Sequence, residues 1–405
     1  MNRTDKQEPK LDWLLLATVG VLLAIGLLVV YSASFDASGH HWQKQLLFAG
    51  MAVVALSGMY LVPPRFFYAA AYPLYFLSLV PLLYIIVFKA NSVVRWIALP
   101  GGFNLQPSEL AKVALLLAMA RLLSFQPVSL ARPRTLLAPT ALFVVPFILV
   151  LKEPNLSTAL SFVAMTGMMF FFSGLSVRDI FFLISPVLSV ALTFNRVAWA
   201  LLFIVLIAVM WWTRTRLKII ALLILINITA GYGAIFVWNK VLYAHQRDRI
   251  LTFIEPQRDP QGAGYQVLQS KVAIGSGKLL GKGFLHSTQS NLNFLPEQHT
   301  DFIFSVLGEQ FGFLGCVATL GLYLFLLNRI LRIGMDTRSR FTALTAVGLT
   351  GIFSFHVLVN ISMTVGMMPV TGLPLPFLSY GGSFLISCFM MLGILMNLRA
   401  HGEYL

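Results

Sequence analysis

The stretch Asn293-Phe294-Leu295-Pro296-Glu297-Gln298-His299-Thr300-Asp301 runs directly into the apolar segment Phe302–Leu327. A bilayer span takes about 20 apolar residues, so the segment reads as a membrane helix. The junction sets Glu297, His299 and Asp301 within five positions at the mouth of that helix. A carboxylate entering a low-dielectric region is costly, and its presence needs a reason. One reason is chemical: Asp301 as a general base near the membrane–water boundary, where its pKa can be tuned. The other is local: an acidic residue in a first helical turn, favoured by the helix dipole and following Thr300 as N-cap. Spacing leaves both open. Glu309, eight residues on and on roughly the same face, falls inside the predicted hydrocarbon layer and is expected to point at a cavity or a partner.

The rest of the chain agrees with a membrane setting. Of 405 residues, 58% are hydrophobic and only 11% charged, with a mean hydropathy of +0.81. A soluble domain carries about 25% charged residues, which excludes a large soluble core. The net charge of +14 is spread between apolar runs, with no arginine-rich tract, zinc-finger spacing or RNA-binding motif, so nucleic acid is not an expected partner. Cys316 and Cys388 lie in apolar runs, where neither a disulfide nor a metal site is expected. Met1–Lys10 is polar, and the following run Leu11–Val30 is too long for a signal-peptide core; it reads as a retained first span.

Further spans are predicted at Asp12–Tyr31, Leu46–Leu61, Ala69–Phe88, Pro107–Leu123, Leu136–Leu151, Leu156–Phe172, Leu217–Trp238, Asp301–Leu327, Phe341–Val365 and Phe377–Leu398. Two shorter runs, Ile180–Phe194 and Ala198–Trp212, either cross or re-enter, so the fold class is an all-α polytopic membrane protein of about ten to twelve helices. With the N-terminus inside, the inner segments hold most of the basic residues: Arg3, Lys6, Lys10, Arg65, Arg121, Arg132, Arg134, Arg178, Arg214, Arg216, Lys218, Arg329, Arg332, Arg338, Arg340 and Arg399. The short outer ones hold Lys44, Lys89, Arg95, Lys152 and Arg196. That bias predicts cytoplasmic termini (1–10 and 399–405) and an extracytoplasmic loop over 239–300. The loop has the aromatic, apolar and glycine alternation of an ordered, functional loop. No repeat and no second domain interrupts 1–405.

Three other constellations carry polar chemistry. In Gln106-Pro107-Ser108-Glu109-Leu110-Ala111-Lys112, Pro107 suits a first helical turn, and Glu109 and Lys112 share a face and can pair. Either they merely neutralise each other, or Lys112, poorly placed near a positive helix end, awaits an anion such as a diphosphate. Arg95 and Trp96, just before, would add a cation and a stacking surface. Lys152-Glu153-Pro154-Asn155-Leu156-Ser157-Thr158 reads first as a capped helix start. Gly366–Gly382 is dense in Gly and Pro, which marks irregular backbone at membrane depth, tolerated only inside protein or beside a water-filled cavity. Gly275-Ser276-Gly277-Lys278 and Gly281-Lys282-Gly283 do not follow the order of a phosphate-binding loop, so ATP is excluded. The seven histidines have no metal-ligand spacing.

Together, Gln106–Glu109, Pro154–Thr158, Asn293–Phe304 and Pro374–Gly382 resemble the SEDS family of membrane glycosyltransferases, and Asp259–Tyr265, Gln269–Gly277 and Thr288–Ser290 resemble its RodA branch more than FtsW. The resemblance covers nearly the whole chain. It implies polymerisation of lipid II into glycan strands during cell elongation, at the outer face of the bacterial cytoplasmic membrane. It also implies a class B penicillin-binding protein and other elongation-complex membrane proteins as partners. The family's catalytic acid falls on Asp301 and its intramembrane polar pair on Glu109 and Lys112, with Arg95, Glu297, His299, Ser157 and Thr158 as further substrate-binding candidates. Two departures stand out. The family's usual Pro-Asp-Leu-Gly-Thr is here Pro154-Asn155-Leu156-Ser157-Thr158, with Glu153 a substitute carboxylate, and Val177–Trp238 holds one extra hairpin.

An α-linked sugar diphosphate giving a β-linked glycan demands inversion. A single displacement needs a base for the acceptor hydroxyl, suited to Asp301, and positive charge for the departing diphosphate, suited to Lys112, Arg95 or a divalent cation. The alternatives are a flippase for the lipid-linked precursor and a non-catalytic scaffold for the penicillin-binding protein.

Overall fold

Thirteen helices and one short β-ribbon make up the described part of the computed structural model, residues 11–34, 41–88, 95–99, 103–129, 132, 134–153, 155–214, 217–240, 263–287 and 297–401. The helices are α1 Trp13–Ala33, α2 His41–Leu61, α3 Pro64–Phe88, α4 Pro107–Phe125, α5 Arg134–Lys152, α6 Leu156–Ser173, α7 Val177–Leu192, α8 Arg196–Trp212, α9 Leu217–Lys240, α10 Ala263–Ser276, α11 Ile303–Asp336, α12 Arg340–Thr364 and α13 Gly382–His401. Among the described residues, nine of them are long and apolar enough to cross a membrane. The chain is a multi-pass, all-α membrane protein. Much of the 239–300 loop, with Pro154 and the termini 1–10 and 402–405, lies outside the described residues.

Helix starts follow local chemistry. Pro107 occupies the first turn of α4, where its missing N–H costs nothing. Side chains of Asp12, Asn155, Ser176, Asn195 and Ser339 cap α1, α6, α7, α8 and α12, each satisfying an orphan donor. Asp12 does more, since it also accepts from Arg329 Nε at 2.8 Å and from Arg399. That cluster ties the start of α1 to the ends of α11 and α13.

Helices α4 and α12 sit at the centre, buried around most of their circumference. A helix enclosed by protein rather than lipid can carry polar groups, which is why Glu109 and Lys112 are tolerated in α4. The two short runs of the sequence are complete helices of 16 and 17 residues. With α9 they form a satellite core around Phe182, Leu202, Leu206 and Met210. Its polar centre is Asn227, which donates to Ser185 Oγ at 2.9 Å, while Ser189 donates to Asn227 O and accepts from Trp199 Nε1.

One expected span is corrected. Helix α11 begins at Ile303, not Asp301, and its 34 residues would extend about 50 Å, more than the hydrocarbon layer of about 30 Å. It is broken at Gly312, whose φ of 64° and ψ of −163° suit glycine alone. The break frees backbone groups that the turn after α10 satisfies. Phe313 and Leu314 N–H donate to Lys278 O and Leu279 O, and Lys282 and Gly283 N–H donate to Glu309 O and Gln310 O. Glu309 stands before the break, fully buried, with Lys282 Nζ at 2.7 Å. The glycine–lysine segment that resembled a nucleotide loop is therefore a brace. A second addition is an antiparallel ribbon, β1 Ile97–Leu99 with β2 Phe103–Leu105, which the all-helical reading lacked.

A Cβ at Gly312 or Gly281 would meet the opposing backbone, whereas one at Gly20 or Gly50 would meet nothing within 4 Å. Thermal unfolding in detergent is expected to show Gly312→Ala and Gly281→Ala melting several degrees below the wild type. Gly20→Ala and Gly50→Ala, which only improve helix propensity, should melt at or above it.

Candidate functional site

The irregular segment 366–381 lies at the centre of the site, and its carbonyls are claimed by side chains from four helices. Ser157 of α6 donates to Thr371 O (2.5 Å), Asn360 of α12 to Leu373 O (2.7 Å) and His356 of α12 to Pro374 O (3.0 Å). Tyr323 of α11 donates to Pro376 O, and Gln45 of α2 to Ser379 O. Non-helical backbone is costly at membrane depth unless its polar groups are paired. Here the sequence supplies a partner for each of these carbonyls.

Lys112 has no exposed side-chain surface. Its ammonium donates to Glu109 Oε1 at 3.0 Å and meets His356 Nε2 at 3.3 Å. His356 Nδ1 faces a carbonyl and must carry the proton, so Nε2 presents its lone pair to the lysine. Phe384 stacks on the imidazole and lies 5.4 Å from the ammonium. Glu109 uses its second oxygen for Ser387 of α13, at 2.9 Å. A cavity of about 210 Å³ reaches Glu109 and Ser387 from between α2, β2, α4 and α13, with Phe48, Met51, Leu110 and Met390 in its walls.

Asp301 lies above this network. Asn360, one turn from His356 along α12, donates to Asp301 O at 2.9 Å as well as to Leu373 O. One helical turn rises about 5–6 Å, which separates the two levels. Asp301 is not in a helical turn: it belongs to the turn 297–302, where Glu297 O accepts from the N–H groups of Thr300, Asp301 and Phe302. The residue before Ile303 is Phe302, without a side-chain cap, so the reading with Thr300 as N-cap does not hold. The carboxylate instead faces Gly372, with Oδ2 3.3 Å from where a Cβ would stand. Burial and the charge of Glu297 raise its pKa to about 6, against the opposing effects of the Thr300 hydroxyl and Arg95.

The other candidates divide. Glu297 is exposed, has a φ of 54° and accepts from Thr300 Oγ1. His299 is a packing residue: its ring stacks on His41 at 4.5 Å and meets the edge of Tyr380, and its carbonyl accepts from Tyr380 N–H. Burial and the neighbouring His41 lower its pKa, with Glu297 opposing. Thr158 N–H donates to the Asn155 cap, while Ser157 reaches the loop beside Gly372. Arg95, just before β1, acts electrostatically on both Asp301 and the buried Glu153. Asp301, Arg95, Ser157 and the 371–374 backbone therefore converge, with Lys112 and Glu109 one turn deeper. His356 and Asn360 were missed from sequence; the signal available was a polar side chain inside the predicted span Phe341–Val365, ionisable in the case of His356.

Comparison with known proteins adds four similarities. The family model FTSW_RODA_SPOVE, described as a cell cycle protein, matches residues 12–200 and 197–404. The chain is 35% identical over 406 residues to the peptidoglycan glycosyltransferase MrdB of Escherichia coli K12, covering 100% of this chain and 97% of that protein. It is 32% identical to the peptidoglycan glycosyltransferase RodA of Treponema pallidum, over 96% of this chain and 97% of that one. A solved chain from a peptidoglycan synthase complex, described as coordinating polymerization and crosslinking, superposes with a TM-score of 0.69 at 28% identity, over 96% and 97% of the two chains.

Removing one member of a buried ion pair leaves an uncompensated charge, at a cost of about 3–5 kcal/mol. Glu109→Gln is thus expected to lower the melting temperature clearly. The double variant Glu109→Gln/Lys112→Met should recover part of the loss, which a two-variant melting series in detergent would measure.

Proposed function

The chain belongs to the FtsW/RodA/SpoVE family, and from that premise we propose that it is a peptidoglycan glycosyltransferase. It joins lipid II units into β-1,4 glycan strands during cell elongation, at the outer face of the cytoplasmic membrane. The names and full-length coverage of its relatives support the reaction class. The observation that carries the mechanism is Asp301, a partly buried carboxylate with no capping role, facing an open glycine edge and sharing the field of Arg95.

The reaction inverts at the sugar carbon, so the acceptor hydroxyl attacks from the face opposite the diphosphate. Asp301 takes the hydroxyl proton as the new bond forms, in a role that its raised pKa favours. Arg95 neutralises the departing diphosphate from the mouth of the site. Lys112, enclosed one turn below and paired with Glu109, makes no direct contact with the diphosphate and instead fixes α4 against α12 beneath the site. Ser157 and Asn360 hold the 371–374 backbone against which the substrate lies, and the apolar cavity beside Glu109 suits the isoprenoid chain. Among the described residues no three His, Cys, Asp or Glu side chains gather to hold a metal, so no step is assigned to a divalent cation.

The whole chain, 1–405, acts as one membrane domain with both termini cytoplasmic, an orientation supported by the arginine bias of the inner connections. A class B penicillin-binding protein, which cross-links the strands, and other elongation-complex membrane proteins are its partners. The likeness to a synthase-complex chain supports that assembly.

Purified protein in detergent with added lipid II tests this reading, because polymerisation needs no second compartment whereas flipping does. Glycan strands are expected from the wild type, and Asp301→Asn should lose at least about a hundredfold in rate while keeping its melting temperature. Because the base must be ionised, kcat/KM should fall about tenfold per pH unit below about 6. Undiminished turnover by Asp301→Asn would remove the base assignment.

A further inference from the structure

Glu153 follows the last residue of α5, Lys152, and is 3% exposed. Neither of its carboxyl oxygens has a hydrogen-bond partner among the described residues. Such a buried acceptor pair is expensive unless a ligand completes it. Its neighbours are already committed: Asn155 to the cap of α6, and Ser157 to Thr371 O beside the glycine that faces Asp301. The charged group acting on Glu153 is Arg95; those acting on Asp301 are Glu297 and the same Arg95. Arg95 thus acts electrostatically on both carboxyl groups.

We propose that Glu153 is the general acid of this site, donating its proton to the diphosphate that Arg95 receives, while Asp301 acts as the base. The proposal rests on the glycosyltransferase reading above. The acceptor O–H bond breaks and its proton passes to Asp301, and the acceptor oxygen bonds to the sugar carbon. The bond from that carbon to the diphosphate oxygen breaks, leaving its electron pair on the oxygen, which takes the proton of Glu153. Before the next turnover Asp301 loses one proton to water and Glu153 regains one. The environments favour this division. Burial raises Glu153 to about 7, opposed by Arg95, and Asp301 to about 6. Both values lie close to neutral pH, so each group can gain or lose a proton in the working range.

The test is the pH dependence of lipid II polymerisation by the full chain in detergent, with kcat and KM separated. The wild type should give a bell whose alkaline limb is set by Glu153. In kcat that limb should lie higher than in kcat/KM, because bound diphosphate adds negative charge beside the acid. Glu153→Gln, close in shape, should lower kcat by about 10²–10⁴-fold, leave KM within a few-fold and abolish the alkaline limb. Wild-type kcat and an unmoved limb in Glu153→Gln would overturn the assignment, even if Asp301→Asn is dead and the functional reading stands. An inactive wild type would overturn both. If melting shows that Glu153→Gln is misfolded, Glu153→Asp decides: a displaced alkaline limb supports the assignment and an unchanged one refutes it.

Discussion

Lys112 carries a charge with no route to water, and the centre of the protein is arranged around that fact. Its ammonium is held by Glu109 from its own helix, by His356 from α12 and, through Phe384, by the face of an aromatic ring on α13. Glu109 in turn fixes Ser387. Three central helices are therefore registered against one another by a polar contact, where apolar packing alone would tolerate sliding. The imidazole carries the constraint outward, because its second nitrogen must find an acceptor and finds Pro374 O. The irregular loop is positioned by that bond, and Asp301 by the loop and Asn360.

The same network sets the surroundings of Asp301. A carboxylate in lipid would simply stay protonated. Asp301 instead sits where backbone and Asn360 fix its main chain, where burial raises its pKa and where Arg95 opposes that rise. One residue thus divides its contacts, with its carbonyl taken by Asn360 and its carboxylate facing Gly372.

Much of this was legible in the chain itself. The apolar runs gave the helices, the three-residue spacing gave the Glu109–Lys112 pair, and the Gly–Pro density of 366–382 marked irregular backbone that the structure indeed contains. Three features were hidden for physical reasons. His356 lies 244 residues from Lys112, and a tertiary pair leaves no periodicity to read. Gly312 is one of 30 glycines, and its left-handed conformation is set by the loop that packs on it rather than by its neighbours. The helix start was misplaced because Thr300 has the right chemistry for a cap, yet Glu297 O had already taken the local N–H groups. Local propensity loses to a turn stabilised by tertiary packing.

The Asp12 cluster also bears on the order in which the molecule is completed during synthesis. Asp12 precedes its partners by 317 and 387 residues in the chain. Until α11 has been made, α1 carries a carboxylate destined for burial without the guanidinium of Arg329, and the second guanidinium, Arg399, comes only with α13. A buried carboxylate without a cation is costly, so α1 acquires its complete set of partners only when segments more than 300 residues apart have come together.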